Sequence, residues 1–386
     1  MADPAGVRVL VAPDKFKGTL TAAEVADAVA IGLERTGLHA LRLPLADGGD
    51  GSVDAALAAG YSAVSQPVTD AVGQNTVGTM AVDETSDTVI VEVANTVGIA
   101  GLSGLDPMGA SSFGFGAAVA AALERHPRRL VLALGGSAST DGGMGLLQAL
   151  GAVFTDSEGH ELSARGDSLS RVHSADTSRL SMPDTTEIVI ASDVTNPLLG
   201  PDGAATVFGP QKGATPDQQR DLELGMSRLL EVLVRDHGSF VREVAERPSA
   251  GAAGGLGFAA MLIGGHATSG AAHFLDLLDF DGAAAGCDAV VTGEGCVDAQ
   301  TLHGKLPAVV IERATPRPVH LVAGRNELTD DDQADLGVSS VQAVSTMTPL
   351  DTAADPALTR ELLVDAGEKI ARILARHSEV QRPRPQ

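Results

Sequence analysis

Aromatic residues, cysteine and positive charge are all scarce in this chain of 386 residues. Aromatic side chains make up 3% of the residues and tryptophan is absent, so the sequence lacks the stacking surfaces on which proteins bind unpaired bases. Lysine and arginine number 27 against 50 acidic residues, and the resulting net charge of −23 argues against a nucleic-acid partner. Any anion must therefore be bound by the few basic residues that lie within motifs.

Long apolar runs are also missing. The run from Val7 to Pro13 has the length of a strand, it contains Arg8, and no positively charged segment precedes it. The only cysteines, Cys287 and Cys296, provide neither a disulfide framework nor a set of metal ligands. We therefore expect a soluble protein of a reduced, cytoplasmic setting, with neither a secretory signal nor a membrane partner.

The first and last parts of the chain alternate between strand and helix patterns. Val7–Ala12 lacks strict alternation, as expected of a strand buried on both faces of a parallel sheet. Thr21, with Glu24 three residues later, predicts a capping box that opens a helix to about Arg35. The other elements predicted in these parts are strands Leu41–Leu45, Ala289–Thr292, Val319–Val322 and Ser340–Val344 and helices Ser52–Ala59, Leu306–Arg313 and Leu358–Arg376.

The predicted strands fit one five-stranded parallel sheet that a second domain interrupts. Two domains are also expected from the length, since a single core rarely grows so large. We predict a discontinuous α/β domain of residues 1–65 plus 281–380, an inserted α/β domain of residues 66–280, and a disordered polar tail of residues 381–386.

The predicted insert has its own strands and one long helix. Its strands are predicted at Thr76–Val82, Thr88–Val93, Leu130–Leu134 and Glu187–Ala191, although Leu130–Leu134 could instead join the outer sheet. Apolar residues at helical spacing predict an amphipathic helix from about Asp217 to Val234.

Polar and glycine-rich segments follow the predicted strands, at the edge where parallel sheets bind ligands. PDKFKGTL follows the first strand and brings Lys15 and Lys17 just before a helix, where an anion is favoured. ADGGDGS follows the second and places Asp47 and Asp50 beside glycines; paired carboxylates can hold Mg²⁺ together with phosphate oxygens. A plain turn with solvated side chains is the alternative for both segments.

The segment GGSASTDGGMG, residues 135–145, is the strongest glycine-rich candidate. Its open backbone and the hydroxyls of Ser137, Ser139 and Thr140 suit a phosphate cradle. It has neither the ending of a P-loop nor the spacing of a dinucleotide fingerprint, and no such fingerprint follows the first strand, which disfavours a nicotinamide oxidoreductase. GAAGGLG, residues 251–257, fits a turn or a helix contact better than a site.

Two further segments carry titratable groups. Asp193 follows a predicted buried strand and is a candidate metal ligand or base for a hydroxyl proton, and Asn196 and Lys212 follow it as candidate ligand contacts. TGEGCVDAQTLHGK crowds polar residues into one predicted strand-to-helix connection, which favours a functional loop over a structural one. These residues are Glu294, Asp298, Gln300, Thr301, His303 and Lys305.

Taken in chain order, PDKFKGTL, LADGGDGS, GGSASTDGG, DVTNPLLGPDGAATVFGPQKGA, GAAGGLG and TGEGCVDAQTLHGK resemble the successive signature blocks of type I glycerate kinases, over roughly residues 7–345. The resemblance implies a flavodoxin-like α/β domain with a second α/β domain inserted into it. It also implies phosphorylation of D-glycerate by ATP, at the 2-hydroxyl and with Mg²⁺.

The resemblance and the motif positions together give the candidate site. Catalytic roles are expected for Asp193, Asp298 and Lys15, and metal binding for Asp47 and Asp193. Cofactor binding is expected for Gly135, Gly136, Ser137, Asp141 and Lys212. Substrate contacts are expected for Lys17, Asp47, Asp50, Asn196, Glu294, Thr301, His303 and Lys305.

The chain departs from the family pattern at some positions. Cys296 stands where the family usually has arginine, Leu105 stands where an arginine tends to precede Asn-Pro, and Phe113 replaces the usual tyrosine. Arginine binds a carboxylate through two parallel hydrogen bonds, which neither cysteine nor leucine can make. Either another cation such as Arg325 compensates, or the acceptor is another small hydroxy acid or polyol. A weakly catalytic, sugar-acid-binding regulator is a third possibility, against which the retained acidic residues argue.

Overall fold

A computed structural model describes residues 6–180, 185–299 and 301–380. The predicted tail, residues 381–386, and the candidate residue Gln300 lie outside these ranges, and His303 is described without its side chain. The strands are β1 (Arg8–Val11), β2 (His39–Arg42), β3 (Ser62–Thr69), β4 (Asn75–Asp83), β5 (Thr88–Glu92), β6 (Arg129–Ala133), β7 (Val153–Thr155), β8 (Ser174–Asp176), β9 (Glu187–Ala191), β10 (His266–Thr268), β11 (Ala289–Val297), β12 (Val319–Asn326) and β13 (Ser340–Ala343). The helices are α1 (Ala22–Arg35), α2 (Ser52–Ala58), α3 (Ala94–Val97), α4 (Phe113–Leu123), α5 (Met144–Ala149), α6 (Ala204–Phe208), α7 (Pro216–His237), α8 (Phe240–Ala245), α9 (Leu256–Leu262), α10 (Gly270–Leu277), α11 (Phe280–Ala285), α12 (Leu306–Ala314), α13 (Asp330–Leu336) and α14 (Pro356–Val380).

The chain divides into two compact units. Among the described residues, the first unit contains 6–47, 54–59, 271–299 and 301–380, and the second contains 48–53, 60–180 and 185–270. Residues 48–53 belong with the second unit because the N–H groups of Gly51 and Val53 bond to the carboxylate of Glu92. Residues 62–65 also belong with the second unit, because they begin β3, which pairs with β4. Residues 271–280 belong with the first unit, where Asp276 pairs with Arg313.

The first unit is built on a five-stranded sheet in the order β13-β12-β11-β1-β2. All four strand pairs are parallel, as the sequence predicted. This is the strand order of the flavodoxin-like fold, in which the chain leaves β1 toward one edge of the sheet and later extends it toward the other. The loops after β1 and β11 therefore lie at the switch point, where such sheets bind their ligands.

The second unit contains a six-stranded mixed sheet in the order β10-β9-β6-β5-β4-β3. β3, β4 and β5 pair antiparallel, whereas β5, β6, β9 and β10 pair parallel. β6 thus belongs to this sheet and not to the outer one. Since the parallel strands share a direction, the loops after β5, β6 and β9 leave the sheet at one edge.

Two local predictions about helices are confirmed. The Thr21 hydroxyl accepts the N–H of Glu24 while the Glu24 carboxylate accepts the N–H of Thr21, so the capping box of α1 is complete. The five apolar positions predicted for α7 all belong to the core of the second unit: Leu222, Met226, Leu229, Leu230 and Leu233. No helix in the described part of the chain is long and apolar enough to cross a membrane.

The glycine-rich segment 251–257 packs as predicted for a helix contact. A Cβ on Gly255 would lie 2.5 Å from the Cα of Gly142, and a Cβ on Gly257 would lie 1.9 Å from the carbonyl oxygen of Ser249. Only glycine allows backbones to approach so closely. The start of α9 is thereby pressed against the end of the 135–145 segment.

Candidate functional site

In the first unit, the segments after β1, β2 and β11 run side by side. The N–H of Asp14 donates to the carbonyl of Gly293 at 2.8 Å, so the chain continues along β11 after β1 has ended. The N–H of Leu45 donates to the carbonyl of Pro13 at 2.9 Å, which holds the segment before Asp47 on the other side. The structure thus brings the PDKFKGTL segment, Ala46 and Asp47 at the start of the ADGGDGS segment, and the TGEGCVDAQTLHGK segment to one edge of the sheet.

Asp14 is the titratable group at the centre of this edge, and it was not among the site residues predicted from the sequence. Burial raises the pKa of its carboxyl to about 7, the Lys15 ammonium counteracts this, and the negative charges of Asp47 and Glu294 add to the rise. The Nζ of Lys15 lies 3.9 Å from Asp14 Oδ1, and the backbone N–H of Lys15 donates to the same oxygen at 2.7 Å. The available signal was an aspartate directly after a buried strand, inside a motif already singled out for its lysines.

Lys17 is exposed in the tight loop between β1 and α1. Phe16 and Leu20 close this loop through mutual backbone hydrogen bonds of 2.9 and 3.0 Å. The capping box already engages the N–H of Glu24, and the Glu24 carboxylate adds negative charge there. An anion at this loop would therefore depend on the lysines more than on the N-terminus of α1.

The TGEGCVDAQTLHGK segment was predicted to be a loop from Thr292, but β11 continues through it to Val297. The prediction was too short because glycines and polar residues are unfavourable in an isolated strand, whereas here Gly293 and Gly295 let neighbouring backbones approach. A Cβ on Gly293 would lie 2.2 Å from the carbonyl oxygen of Val322 on β12.

Four of the predicted polar residues in this segment form one connected group. The Thr301 hydroxyl donates to Glu294 Oε1 at 2.6 Å, and the Nζ of Lys305 lies 3.9 Å from Glu294 Oε2 and 3.3 Å from Asp298 Oδ1. Burial raises the pKa of the Glu294 carboxyl, while Thr301 and Lys305 counteract this rise. The group presents carboxylates, a hydroxyl and an ammonium together, which are polar groups of the kind that fix the orientation of a ligand.

In the second unit, the 48–53 turn meets the ends of β6 and β9. The carbonyl of Gly48 accepts the N–H of Gly135 at 3.4 Å, and a Cβ on Gly135 would lie 2.4 Å from the Cα of Gly49. A Cβ on Gly48 would lie 2.6 Å from the carbonyl oxygen of Ala191. The predicted site residues Asp50, Gly135 and Gly136 are therefore neighbours.

Glu92, at the end of β5, was also missed by the sequence analysis. Its side chain is 3% exposed, and its two carboxylate oxygens accept the N–H groups of Gly51 at 3.1 Å and Val53 at 2.8 Å. The signal in the sequence was a carboxylate at the end of the apolar run TVIVE.

Asp141 and Lys212 hold the glycine-rich segment from inside. The buried Asp141 carboxylate accepts both the N–H and the hydroxyl of Ser112 and the N–H groups of Gly143 and Gly145. Burial raises the pKa of this carboxyl and lowers the pKa of the Lys212 ammonium to about 8. The Lys212 side chain is 3% exposed, and its Nζ donates to the carbonyl of Ser139 at 2.5 Å.

The hydroxyl of Ser137 lies 3.2 Å from that of Ser139 and also accepts the N–H of Ser139 at 3.2 Å. The segment is thus folded back on itself directly after Gly135 and Gly136. Its backbone turns through a positive φ of 80° at Gly136, which glycine adopts without strain.

Asp193 follows β9, as predicted, and is fixed by the start of α10. Its Oδ1 accepts the hydroxyl of Ser269 at 3.0 Å and the N–H of Gly270 at 2.9 Å. Asn196 turns toward its own loop, where its Nδ2 donates to the carbonyl of Asp202 at 2.8 Å.

The residues fit Mg²⁺ as a cofactor. Across the described ranges, no three His, Cys, Asp or Glu side chains converge as a complete protein-only cation site. Mg²⁺ in kinases usually binds one or two carboxylates and completes its shell with phosphate and water oxygens. The mutual repulsion among Asp14, Asp47 and Glu294, which helps to raise the pKa of Asp14, is the electrostatic setting that a divalent cation relieves.

The departures from the family pattern lie in two places. Cys296 on β11 is in register with Arg325 on β12, and Arg325 Nη2 lies 3.7 Å from Cys296 Sγ. In the second unit, Leu105 is 52% exposed and lies against Gly213, next to Lys212. Phe113, at the start of α4, is also exposed.

The chain matches the model of the glycerate kinase family over residues 9–375. It is 36% identical over 335 residues to a glycerate 2-kinase of Escherichia coli strain K12, covering 84% of this chain and 86% of that protein. It is 34% identical over 335 residues to a glycerate kinase of Bacillus subtilis strain 168, covering 85% of this chain and 87% of that protein.

A solved structure gives the same result. The crystal structure of a protein from Salmonella typhimurium LT2, named as a candidate glycerate kinase 2, superposes with a TM-score of 0.81 at 32% identity, covering 97% of this chain and 100% of that one. The resemblance drawn from the motif blocks, the fold class and the prediction of a kinase are confirmed by these matches.

Proposed function

The chain belongs to the glycerate kinase family, and we propose from this premise that it transfers the γ-phosphoryl group of ATP to the 2-hydroxyl of D-glycerate, giving 2-phosphoglycerate and ADP. The name of the Escherichia coli relative, glycerate 2-kinase, supports the choice of hydroxyl. The observation that carries the proposal is the group formed by Glu294, Thr301, Asp298 and Lys305 at the ligand-binding edge of the first sheet.

In the proposed reaction, the glycerate 2-oxygen attacks the γ-phosphorus and the bond from that phosphorus to the bridging oxygen breaks, so that ADP leaves. The hydroxyl proton passes to a carboxylate. Asp193 and Asp298 are the proposed catalytic carboxylates, and Lys15 offsets negative charge on the transferring group. Phosphoryl transfer depends mainly on such positioning and charge neutralisation.

Anionic glycerate needs cations for its carboxylate and hydrogen-bonding groups for its hydroxyls. In the first unit we assign these contacts to Lys17, Asp47, Glu294, Thr301, His303 and Lys305, and in the second to Asp50 and Asn196. The bonded group of Glu294, Thr301 and Lys305 supports this assignment because its side chains hold one another in fixed orientations.

We assign the nucleotide phosphates to the glycine-rich segment of the second unit. Gly135, Gly136 and Ser137 would offer backbone N–H groups and a hydroxyl to phosphate oxygens. Asp141 and Lys212 would support nucleotide binding indirectly, because their hydrogen bonds fix the course of the glycine-rich segment.

Mg²⁺ is the proposed metal, with Asp47 and Asp193 as carboxylate ligands. When bound, it would neutralise phosphate charge and orient the γ-phosphoryl group. The carboxylates of this chain would supply part of its oxygen shell.

A second candidate keeps the reaction and changes the acceptor to another small hydroxy acid or polyol. The observation in its favour is that Cys296 and Leu105 cannot grip a carboxylate as arginine does. Arg325, whose guanidinium lies beside Cys296, could bind the carboxylate in place of the missing arginine, and this favours glycerate as the acceptor. A sugar-acid-binding regulator with weak catalysis is the remaining alternative.

The test is to incubate the protein with ATP, Mg²⁺ and a panel of hydroxy acids led by D-glycerate, following ADP release and the product by phosphorus NMR. We expect the signal of 2-phosphoglycerate. Turnover of another acid but not of glycerate would establish the second candidate. ATP binding without turnover of any acid would favour the regulator.

A further inference from the structure

We propose that Glu92 is a positioning residue for the reaction, which holds the 48–53 turn, and with it Asp50 and the start of the glycine-rich segment, in the reactive arrangement. This inference rests on the proposed function, because it needs Asp50 and Gly135 to contact the reactants.

The geometry of Glu92 is that of a clamp on backbone. It is the last residue of β5, a strand buried along its whole length, so its Cα is held by the sheet. One carboxylate oxygen accepts the N–H of Gly51 at 3.1 Å and the other accepts the N–H of Val53 at 2.8 Å. The turn that carries Asp50 is thus fixed at two points by one rigid side chain.

The turn passes this constraint to the glycine-rich segment. The carbonyl of Gly48 accepts the N–H of Gly135, and the Cα atoms of Gly49 and Gly135 approach so closely that a Cβ on Gly135 would lie 2.4 Å from Gly49. Because the backbones of Gly49 and Gly135 are in direct contact, a displacement of the turn must displace Gly135 as well. Glu92 therefore positions both the 48–53 turn and Gly135, although it is not itself one of the proposed contact residues.

A buried carboxylate is retained at a cost that its hydrogen bonds must offset. Desolvation of the charge is unfavourable, and charge-assisted bonds to two amide donors are about twice as strong as neutral ones. Glutamine at this position keeps the size, but its NH₂ group would face one of the two N–H donors. The substitution therefore removes one of the two hydrogen bonds and sets the glutamine NH₂ against a backbone N–H, which is also a donor. We expect this to release the turn without leaving a cavity.

The first measurement uses the unmodified protein. The amides of Gly51 and Val53 should be strongly protected from hydrogen exchange. Because the first amides of a helix find no partner within the helix itself, this protection would come from their bonds to Glu92. Exchange of both amides as fast as in an unstructured peptide would overturn the inference without any variant.

The second measurement compares E92Q with T88V. Thr88 lies on the same strand, is equally buried, and its hydroxyl donates to the carbonyl of Ser86 far from the turn. We expect E92Q to speed exchange at residues 49–53 and to lower kcat by about a hundredfold, as small displacements of reactive groups do. T88V should melt at a similarly lowered temperature with kcat unchanged.

Equal losses of kcat in E92Q and T88V would reduce Glu92 to a purely structural residue and overturn the inference. A wild-type protein without turnover would instead contradict the proposed function. In that case calorimetry with Mg·ATP decides separately: weakened binding in E92Q and normal binding in T88V supports the clamp, and equal binding in both refutes it.

Discussion

The Nζ of Lys212 donates a hydrogen bond of 2.5 Å to the carbonyl oxygen of Ser139, from a side chain that is 3% exposed. A lysine in a glycine-flanked turn suggested a phosphate contact, yet this ammonium group bonds to the backbone of the glycine-rich segment. Asp141, the nearby negative charge, raises the pKa of Lys212, but burial lowers it more, to about 8.

Lys212→Met tests this internal bond. The variant leaves the buried Ser139 carbonyl without its donor, at a cost of about 1–3 kcal/mol. It also removes a charge whose burial, at 1.36 kcal/mol per pKa unit, costs about 3 kcal/mol. We therefore expect thermal stability at pH 7 to change little, while kcat and ATP affinity fall because the segment is no longer held.

Lys212→Arg is the matched control for this argument. Arginine retains the charge, so a direct phosphate contact would survive the substitution in large part. A buried bond to Ser139 would not, because the larger guanidinium does not fit the same space. Activity close to wild type in the arginine variant would contradict the internal role.

The same lysine predicts a pH dependence of stability. The pKa of Lys212 is lowered from 10.5 to about 8 on folding, so between these values the unfolded chain binds more protons than the folded one. Stability therefore rises with pH through this window, as the buried ammonium loses its charge. Urea unfolding at pH 7.5 and 10 should show this rise in the wild type and a smaller one in Lys212→Met.

Sequence patterns were sufficient to predict the strands and the parallel sheet of the first unit, but not the full length of β11 or the buried carboxylates Asp14 and Glu92. Apolar runs and the Thr21 capping box are local signals, and both were sufficient to locate β1, α1 and the five-stranded parallel sheet. β11 was predicted too short because its glycines are tolerated only through contacts with β12 and the loop after β1. Asp14 and Glu92 were missed because their roles follow from burial and partners that lie far away in sequence.

Gly135→Ala should impair both stability and nucleotide binding. The added Cβ would lie 2.4 Å from the Cα of Gly49, so the 48–53 turn must move. Overpacking of this kind costs about 1–3 kcal/mol. The control is Gly104→Ala, since nothing lies within 4 Å of a Cβ there. Equal melting temperatures for the two variants would show that the close approach of the two glycines is not tight.

Asp193→Ala and Asp298→Ala separate the two proposed catalytic carboxylates. Loss of a general base lowers kcat by about 10²–10⁴-fold, and we expect such a fall for at least the residue that takes the hydroxyl proton. Asp202→Ala, an exposed aspartate in the loop after Asp193, is the control and should keep its turnover. Turnover near the wild-type value in both variants would remove these residues from the mechanism.

Arg325→Ala tests how the chain manages without an arginine at position 296. Arg325 Nη2 lies 3.7 Å from Cys296 Sγ, and its Nε pairs with Glu327 at 2.9 Å, so its guanidinium is oriented beside β11. If it binds the carboxylate of the acceptor, the variant should raise KM for glycerate by about tenfold or more, the value of one charged hydrogen bond. KM for ATP should stay unchanged.

The decisive comparison adds Cys296→Arg to Arg325→Ala. Because the two positions are in register on neighbouring strands, an arginine at position 296 starts from the same edge of the sheet as the one removed. Recovery of a low KM for glycerate in the double variant, with Arg372→Ala on α14 unaffected, would show that the two positions supply one function. A KM that is normal in Arg325→Ala would leave the acceptor carboxylate to the lysines and direct the search toward other hydroxy acids.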